Sequence, residues 1–147
     1  MAKAVAKLPT MGCTCLSLRK ASRRVSQIYD RILATAGVTV TQYALLGHLA
    51  AFDGIGVAAL AEKLIMDPTT LTRNLRPLER RGLLAIKTDH HDKRSRRLHL
   101  TASGRKAFGD AKPAWARAQR QIEQALGERE IPLLNAALNR VVERLAK

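Results

Sequence analysis

Between Pro68 and Arg81 the chain reads PTTLTRNLRPLERR, and no other stretch limits its folding so tightly. Leu71, Leu75 and Leu78 recur at i, i+4 and i+7, which puts them on one face of a helix. At about 100° per residue, Thr69, Arg73, Arg76 and Arg80 project from the opposite face. The leucines need a core beneath the helix. The guanidiniums need water or a polyanion above it. Asp67 is placed to cap the first turn, Pro68 at the first helical position has no N–H to lose, and Gly82 marks the stop.

The neighbouring stretches turn this helix into a motif. Before it, VAALAEKLIM predicts a short helix with Leu60, Ala61 and Leu64 on one side, and the residues from there to Pro68 suffice only for a tight turn. This is helix-turn-helix spacing. After it come two extended runs, LLAIKT with Leu84 and Ile86 on one face and RRLHLT with Leu98 and Leu100 on one face. Between them lies DHHDKRSR, the polar and mostly cationic tip of a hairpin over residues 89–96. A hairpin placed there makes the winged variant, in which helix arginines enter a major groove while the tip reaches backbone or the adjacent minor groove.

Charge supports the same partner. The chain carries 26 Lys and Arg against 12 Asp and Glu, a formal net charge of +14. Residues 68–100 hold nine of the basic residues and only three of the acidic ones. A basic face can be merely solvated, but here charge, helix face and wing coincide, which favours double-stranded DNA. At 147 residues with 46% hydrophobic content, one domain with its own core is expected. No apolar run approaches the ~18 residues of a membrane span, and the first residues lack a signal-peptide core, so no membrane partner and a cytoplasmic location are expected. Residues 1–12 show no periodicity and read as a flexible arm.

Long helices flank the motif. Cys13–Ala36 predicts a helix with an apolar stripe of Leu18, Ala21, Val25, Ile28, Ile32 and Leu33 beside a basic face that includes Arg19, Arg23 and Arg24. Gly37 ends it, and Thr39 with Gln42 forms a capping box for a helix over 41–52, whose buried stripe is Tyr43, Leu46, Leu49 and Ala50. AFDGIG reads as a turn, and Pro77 predicts a kink or crowding late in the arginine-faced helix. Thr101 caps a long helix with a seam of Phe108, Ala111, Trp115, Ala118, Ile122 and Leu126, bent at Pro113. Gly127 interrupts the pattern before a last helix striped by Leu134, Ala137, Leu138, Val141, Val142 and Leu145. The compact winged unit cannot cover these stripes by itself. A second copy is the natural cover, and a two-fold dimer presents two reading helices to half-sites about one helical turn apart.

The order of elements, with LAEKLIMDPTTLTRNLRPLERRGLL followed by D-K-R-S-R-R-L-x-L-T-x-x-G, resembles the MarR family of bacterial transcriptional regulators. The resemblance spans nearly the whole chain and is most specific from Ala61 to Gly104. It implies a mainly α fold with a small β-hairpin wing (α+β): a single domain with a winged helix-turn-helix over 41–101 and dimerisation helices over 13–36 and 102–147. It also implies a homodimeric repressor of a palindromic operator, released by a small aromatic or anionic ligand or by oxidation. Carried over residue by residue, the DNA-facing helix set is Pro68, Thr69, Thr70, Thr72, Arg73 and Arg76, with Arg80 sharing that face. The wing set is Asp92, Lys93, Arg94, Ser95 and Arg96, with Asp92 orienting wing arginines and Arg94 entering the minor groove. Many relatives have Asp-Pro where this chain has Asp89-His90, which predicts a looser loop.

Effector control is less sharply written. The family's ligand pocket lies between the dimerisation helices and the winged unit, where Tyr29, Tyr43 and Trp115 are the available aromatics and Arg24 or His48 the candidate anion partners. Each aromatic could equally fill core. CLSLRKASRRVSQIYDR resembles the peroxide-sensing branch, in which a first-helix cysteine is hydrogen-bonded by a tyrosine; Cys15 and Tyr29 match that spacing, while the branch's second tyrosine falls at Val40. An ordinary helix-packing cysteine is the alternative. A Cys13–Cys15 disulfide is disfavoured, since residues two apart on a helix diverge. A metal site from Cys13, Cys15, His90 and His91 would need the first helix to meet the wing tip. No phosphate-binding glycine loop and no nucleophile–base grouping occurs, so neither an enzyme nor a cofactor is expected. A basic architectural protein that coats nucleic acid without sequence choice is the remaining rival.

Overall fold

The computed structural model describes residues 12–146. The expected arm therefore lies almost wholly outside the described residues, of which Gly12 is the first. Helix α1 (Thr14–Leu33) runs into a 3-10 turn (Ala34–Ala36), followed by α2 (Val40–Ala51), strand β1 (Ile55–Gly56), α3 (Val57–Lys63) and α4 (Pro68–Arg80). Strands β2 (Leu84–Thr88) and β3 (Arg96–Leu100) form the wing, and α5 (Ala102–Leu126) and α6 (Glu130–Arg144) close the chain.

The expected caps are in place. Thr39 and Gln42 satisfy each other's backbone N–H at 3.2 and 3.1 Å, and Val40 N–H also donates to Asp30 of α1 at 2.7 Å. Asp67 accepts the Thr70 N–H at 2.9 Å, and Thr101 accepts that of Gly104 at 3.0 Å. Helix α4 is continuous through Pro77 and α5 through Pro113. A residue with positive φ is needed in the turn between α3 and α4, and the chain supplies Ile65 at φ 52°, a strained choice for a β-branched side chain.

Two expectations are corrected. AFDGIG is more than a turn: Ile55 and Gly56 pair with Leu98 and Arg97, so β1 adds an edge to the hairpin and the sheet has three antiparallel strands in the order β1-β3-β2. The buried seam of α5 runs through Ala111, Ala114, Ala118 and Ile122, while Trp115 and Leu126 are exposed. Alanines form that seam because α5 packs directly along α1, leaving no room for an indole.

The core is centred on the winged unit and continues into α1 and α5. Leu71, Leu75 and Leu78 of α4 are fully buried with Leu45, Leu46 and Leu49 of α2, Leu60 of α3 and Leu98 of β3. By contrast the first half of α1 is exposed, with Leu16 and Leu18 at its surface, and α6 buries no residue at all. Leu134, Leu138, Val141, Val142 and Leu145 face solvent together.

The wing is fastened to α5 where the sequence has its L-T-x-x-G. Thr101 N–H donates to Leu83 O at 3.2 Å and Thr101 Oγ1 to Gly82 O at 2.7 Å. Gly104 then lets the helix pass so close that a Cβ there would lie 1.9 Å from Leu83 O and 2.6 Å from Leu100 Cδ1. Since a backbone carbonyl cannot step aside, Gly104→Ala is expected to cost about 3 kcal/mol, read as a lowered midpoint in urea unfolding. An unchanged midpoint would mean that this close approach does not exist in solution.

Candidate nucleic-acid interface

The amphipathicity of α4 decides which residues reach outward. With its leucines buried, Thr69, Arg73, Arg76 and Arg80 are the exposed complement. Pro68, Thr69, Thr72, Arg73 and Arg76 line a shallow groove of about 330 Å³ along the start of the helix. A larger groove of about 760 Å³ lies between α4 and the wing. Pro68, Thr72 and Arg76 form one wall, and Arg94, Ser95 and Arg96 the other. Helix and wing thus present guanidiniums to one shared space, although more than ten residues separate them in sequence. Arg80 and Lys93 are exposed but line neither groove. Thr70 turns away, its hydroxyl donating to the Asp67 carboxylate.

Within the wing the roles differ from those the resemblance implied. Asp92 pairs with no side-chain guanidinium; its Oδ1 accepts the Arg94 backbone N–H at 2.9 Å, and its carbonyl accepts from Ser95 N–H, making the tip turn. Asp89 is the acid that holds an arginine. Its Oδ2 accepts from Arg97 Nε and Nη2, both at 2.8 Å, while Oδ1 accepts the His91 N–H at 3.0 Å. Arg97 Nη1 also reaches Gly54 O at 3.3 Å, tying the wing to the turn before β1. The loop expected to be loose for want of a proline is therefore pinned by an aspartate. Arg97, absent from the expected wing set, has one signal in the sequence: with Leu98 and Leu100 inward, Arg97 and His99 lie on the outer face of β3 beside the wing acids. His99 there faces Asp53 at 3.3 Å.

A helix of this length, flanked by a cationic hairpin, fits a major groove of about 12 Å width. A profile of the MarR family matches residues 36–95. A crystal structure of the M. tuberculosis transcriptional regulator MosR in complex with DNA is 34% identical, covering 88% of this chain and 98% of that one, with a TM-score of 0.72. The chain belongs to the MarR family of DNA-binding transcriptional regulators. The transcriptional repressor CouR, bound to a 23-mer DNA duplex, matches with a TM-score of 0.80 at 27% identity, covering 88% and 92% of the two chains. The organic hydroperoxide resistance transcriptional regulator of Bacillus subtilis is 32% identical over 90 residues, and the match spans 61% of its length. No single helix among the described residues is long and apolar enough to cross a membrane.

The effector residues expected of a MarR-family chain are only partly brought together. Tyr43 and His48 line an apolar groove of about 310 Å³ with Phe108 and Phe52, and Trp115 stacks on Tyr43 at 6.0 Å between centroids and 15° between planes. His48 Nδ1 lies 2.8 Å from Ala44 O, which leaves Nε2 as the ring nitrogen outside that bond. Tyr29 and Arg24 are elsewhere. Tyr29 is buried against α5 with its hydroxyl donating to Gln119, and both burial and nearby Glu123 push its pKa up. Arg24 is exposed on α1. Cys15 accepts from Arg19 Nε at 3.4 Å and Cys13 caps α1, both exposed. Tyr29 lies fourteen residues beyond Cys15 on the same helix, about 21 Å away, so one chain does not join them.

Two carboxylates of this interface are held below the usual range. Asp67 is lowered chiefly by the bonds it accepts from Thr70, and Asp89 chiefly by the His91 N–H and then by Arg97. A lowered folded pKa contributes stability that is complete above the unfolded value of about 4 and is lost as pH falls through the folded one. Thermal unfolding should thus be insensitive to these groups between pH 7 and 5 and weaken below about pH 4. In the Asp67→Asn, Asp89→Asn double variant that acid limb should be shallower. Superimposable acid limbs would remove these two aspartates as its cause.

Proposed function

We propose that this protein is a homodimeric repressor that reads a palindromic operator through α4 and the wing and is released by a small aromatic or anionic ligand. The observation that carries the reading is the shared groove in which Arg76 of α4 faces Arg94 and Arg96 of the wing. Arg73 and Arg76 are suited to bidentate contact with guanine, worth about 1–3 kcal/mol of discrimination per good pair. Lys93, Arg94 and Arg96 suit phosphates or the minor groove, and Arg80 a flanking phosphate. Ser95 and Thr69 supply neutral donors to the same surfaces. Affinity then falls steeply with salt.

Dimerisation is supported by the uncovered stripes of α6 and the first half of α1, whose leucines and valines would otherwise stay in water. Relief by a ligand is supported by the Tyr43–Trp115 stack, a flat apolar surface, with His48 lining the same groove as Tyr43 and keeping Nε2 as the ring nitrogen not engaged by Ala44 O. Control by oxidation of Cys15 is the alternative effector reading. It rests on the exposure of that thiol and on the Arg19 guanidinium beside it. Thermal-shift titrations with aromatic acids, run beside peroxide, separate the two; a shift from neither counts against both.

Operator sequences selected from a random duplex library give the main test. Arg73→Ala should lower the preference for selected over random duplex at least tenfold, whereas Lys93→Ala should weaken both about equally and reduce the salt slope by about one. Equal losses on both duplexes from Arg73→Ala would overturn the assignment of α4 as the reader. A wild-type protein with no preference at all would point to the architectural rival. Leu138→Asp with Val142→Asp, both exposed on α6, should give a folded monomer by light scattering with at least tenfold weaker operator binding. A dimer of undiminished stability would place the interface elsewhere.

A further inference from the structure

One cation near the reading helix faces away from the interface. Arg81 caps the C-terminal end of α4, is exposed, and among the described residues forms an ion pair with no carboxylate. Its Nη1 donates instead to Gly37 O at 2.9 Å, across 44 positions of sequence. Gly37 sits immediately past α1 and its 3-10 turn, in the left-handed region at φ 72° and ψ 22°. A carbonyl there belongs to the negative end of a long helical run, where a cation is favoured.

The segment that Arg81 holds is fixed from the other side as well. Arg117 of α5 donates to Thr35 Oγ1 at 3.3 Å, and Thr35 Oγ1 in turn donates to Ile32 O at 2.8 Å. Asp30 of α1 caps α2 at Val40. The elbow between α1 and α2 is thus where the long helices and the reading helix meet through hydrogen bonds. The other side-chain bonds of α4 stay local, Asp67 to Thr70, Thr72 to Pro68 and Asn74 to Met66.

We propose that Arg81 is a positioning residue: its bond to Gly37 sets the angle of α4 against the elbow of the long helices, and so fixes the distance between the two reading helices of a dimer. The inference rests on the homodimeric reading above. Arg81 contributes nothing to the reading of one half-site and decides how strictly the spacing of two is enforced. A change in the packing of α1 against α5 reaches α4 through this bond.

The test measures wild type, Arg81→Ala and Arg81→Lys on four duplexes: the selected full operator, a single half-site, and full operators with one base pair added or removed between the halves. Wild type should prefer the native spacing at least tenfold. Arg81→Ala should bind the half-site within twofold of wild type with an unchanged salt slope, yet lose about tenfold on the full operator and discriminate spacings less than threefold. Arg81→Lys, whose ammonium can reach the same carbonyl, should recover part of the spacing preference. A thermal midpoint within two or three degrees of wild type excludes general unfolding as the cause. Equal losses on half-site and full operator, or a shallower salt slope on the half-site, would make Arg81 a DNA contact and overturn the proposal. So would an Arg81→Ala variant that keeps wild-type spacing preference. Wild type that gains nothing from a second half-site removes the dimeric reading itself, and Arg81's role with it. That outcome is seen without any variant, so the two failures are distinguishable.

Discussion

Everything in this molecule depends on burying the leucine face of α4. Leu71, Leu75 and Leu78 are fully withdrawn from water against Leu45, Leu46 and Leu49 of α2, and at about 2 kcal/mol per side chain that burial holds the helix onto the core. Because a helix has only one other face, the same burial pushes Arg73 and Arg76 outward. The proposed DNA-reading face is in this sense a by-product of core formation: the residues that fold the unit and those proposed to touch DNA are interleaved on the thirteen residues of one helix.

The remaining elements hold that helix in register with its surroundings. Gly104 admits α5 against Leu83 O, Thr101 closes the joint, and Asp89 with Arg97 fixes the wing against the turn before β1. Each is a small polar or steric device at the edge of the core. Each acts between segments far apart in sequence. The leucines give the helix a place, and these devices give it a direction.

Much of this was legible in advance. Asp67, Thr39 with Gln42, and Thr101 announced helix starts that the structure contains to within a residue, because capping is a local interaction between groups three residues apart. Alternation in LLAIKT and RRLHLT likewise announced β2 and β3. The pairing of Ile55 with Leu98 was not legible, since a two-residue strand has no period to detect. Nor was the exchange of Trp115 for Ala114 in the α5 seam, which depends on how closely α1 approaches. In the wing, the family resemblance pointed to Asp92 as the arginine's partner. The choice of Asp89 follows from the β2–β3 register, which sets Thr88 opposite Arg96 and leaves Asp89 next to Arg97.

The order of elements, the polarity of α4 and the cationic character of helix and wing are properties of residues close in the chain, and periodicity, caps and charge suffice to state them. Which side chains share a space is another matter. That Arg76 lines one groove with Arg94, that Tyr43 stacks on Trp115 while Tyr29 turns to Gln119, and that Arg81 reaches back to Gly37 are facts of packing among distant segments. No local period encodes them, because each depends on the approach of two elements whose distance is set by every side chain between them.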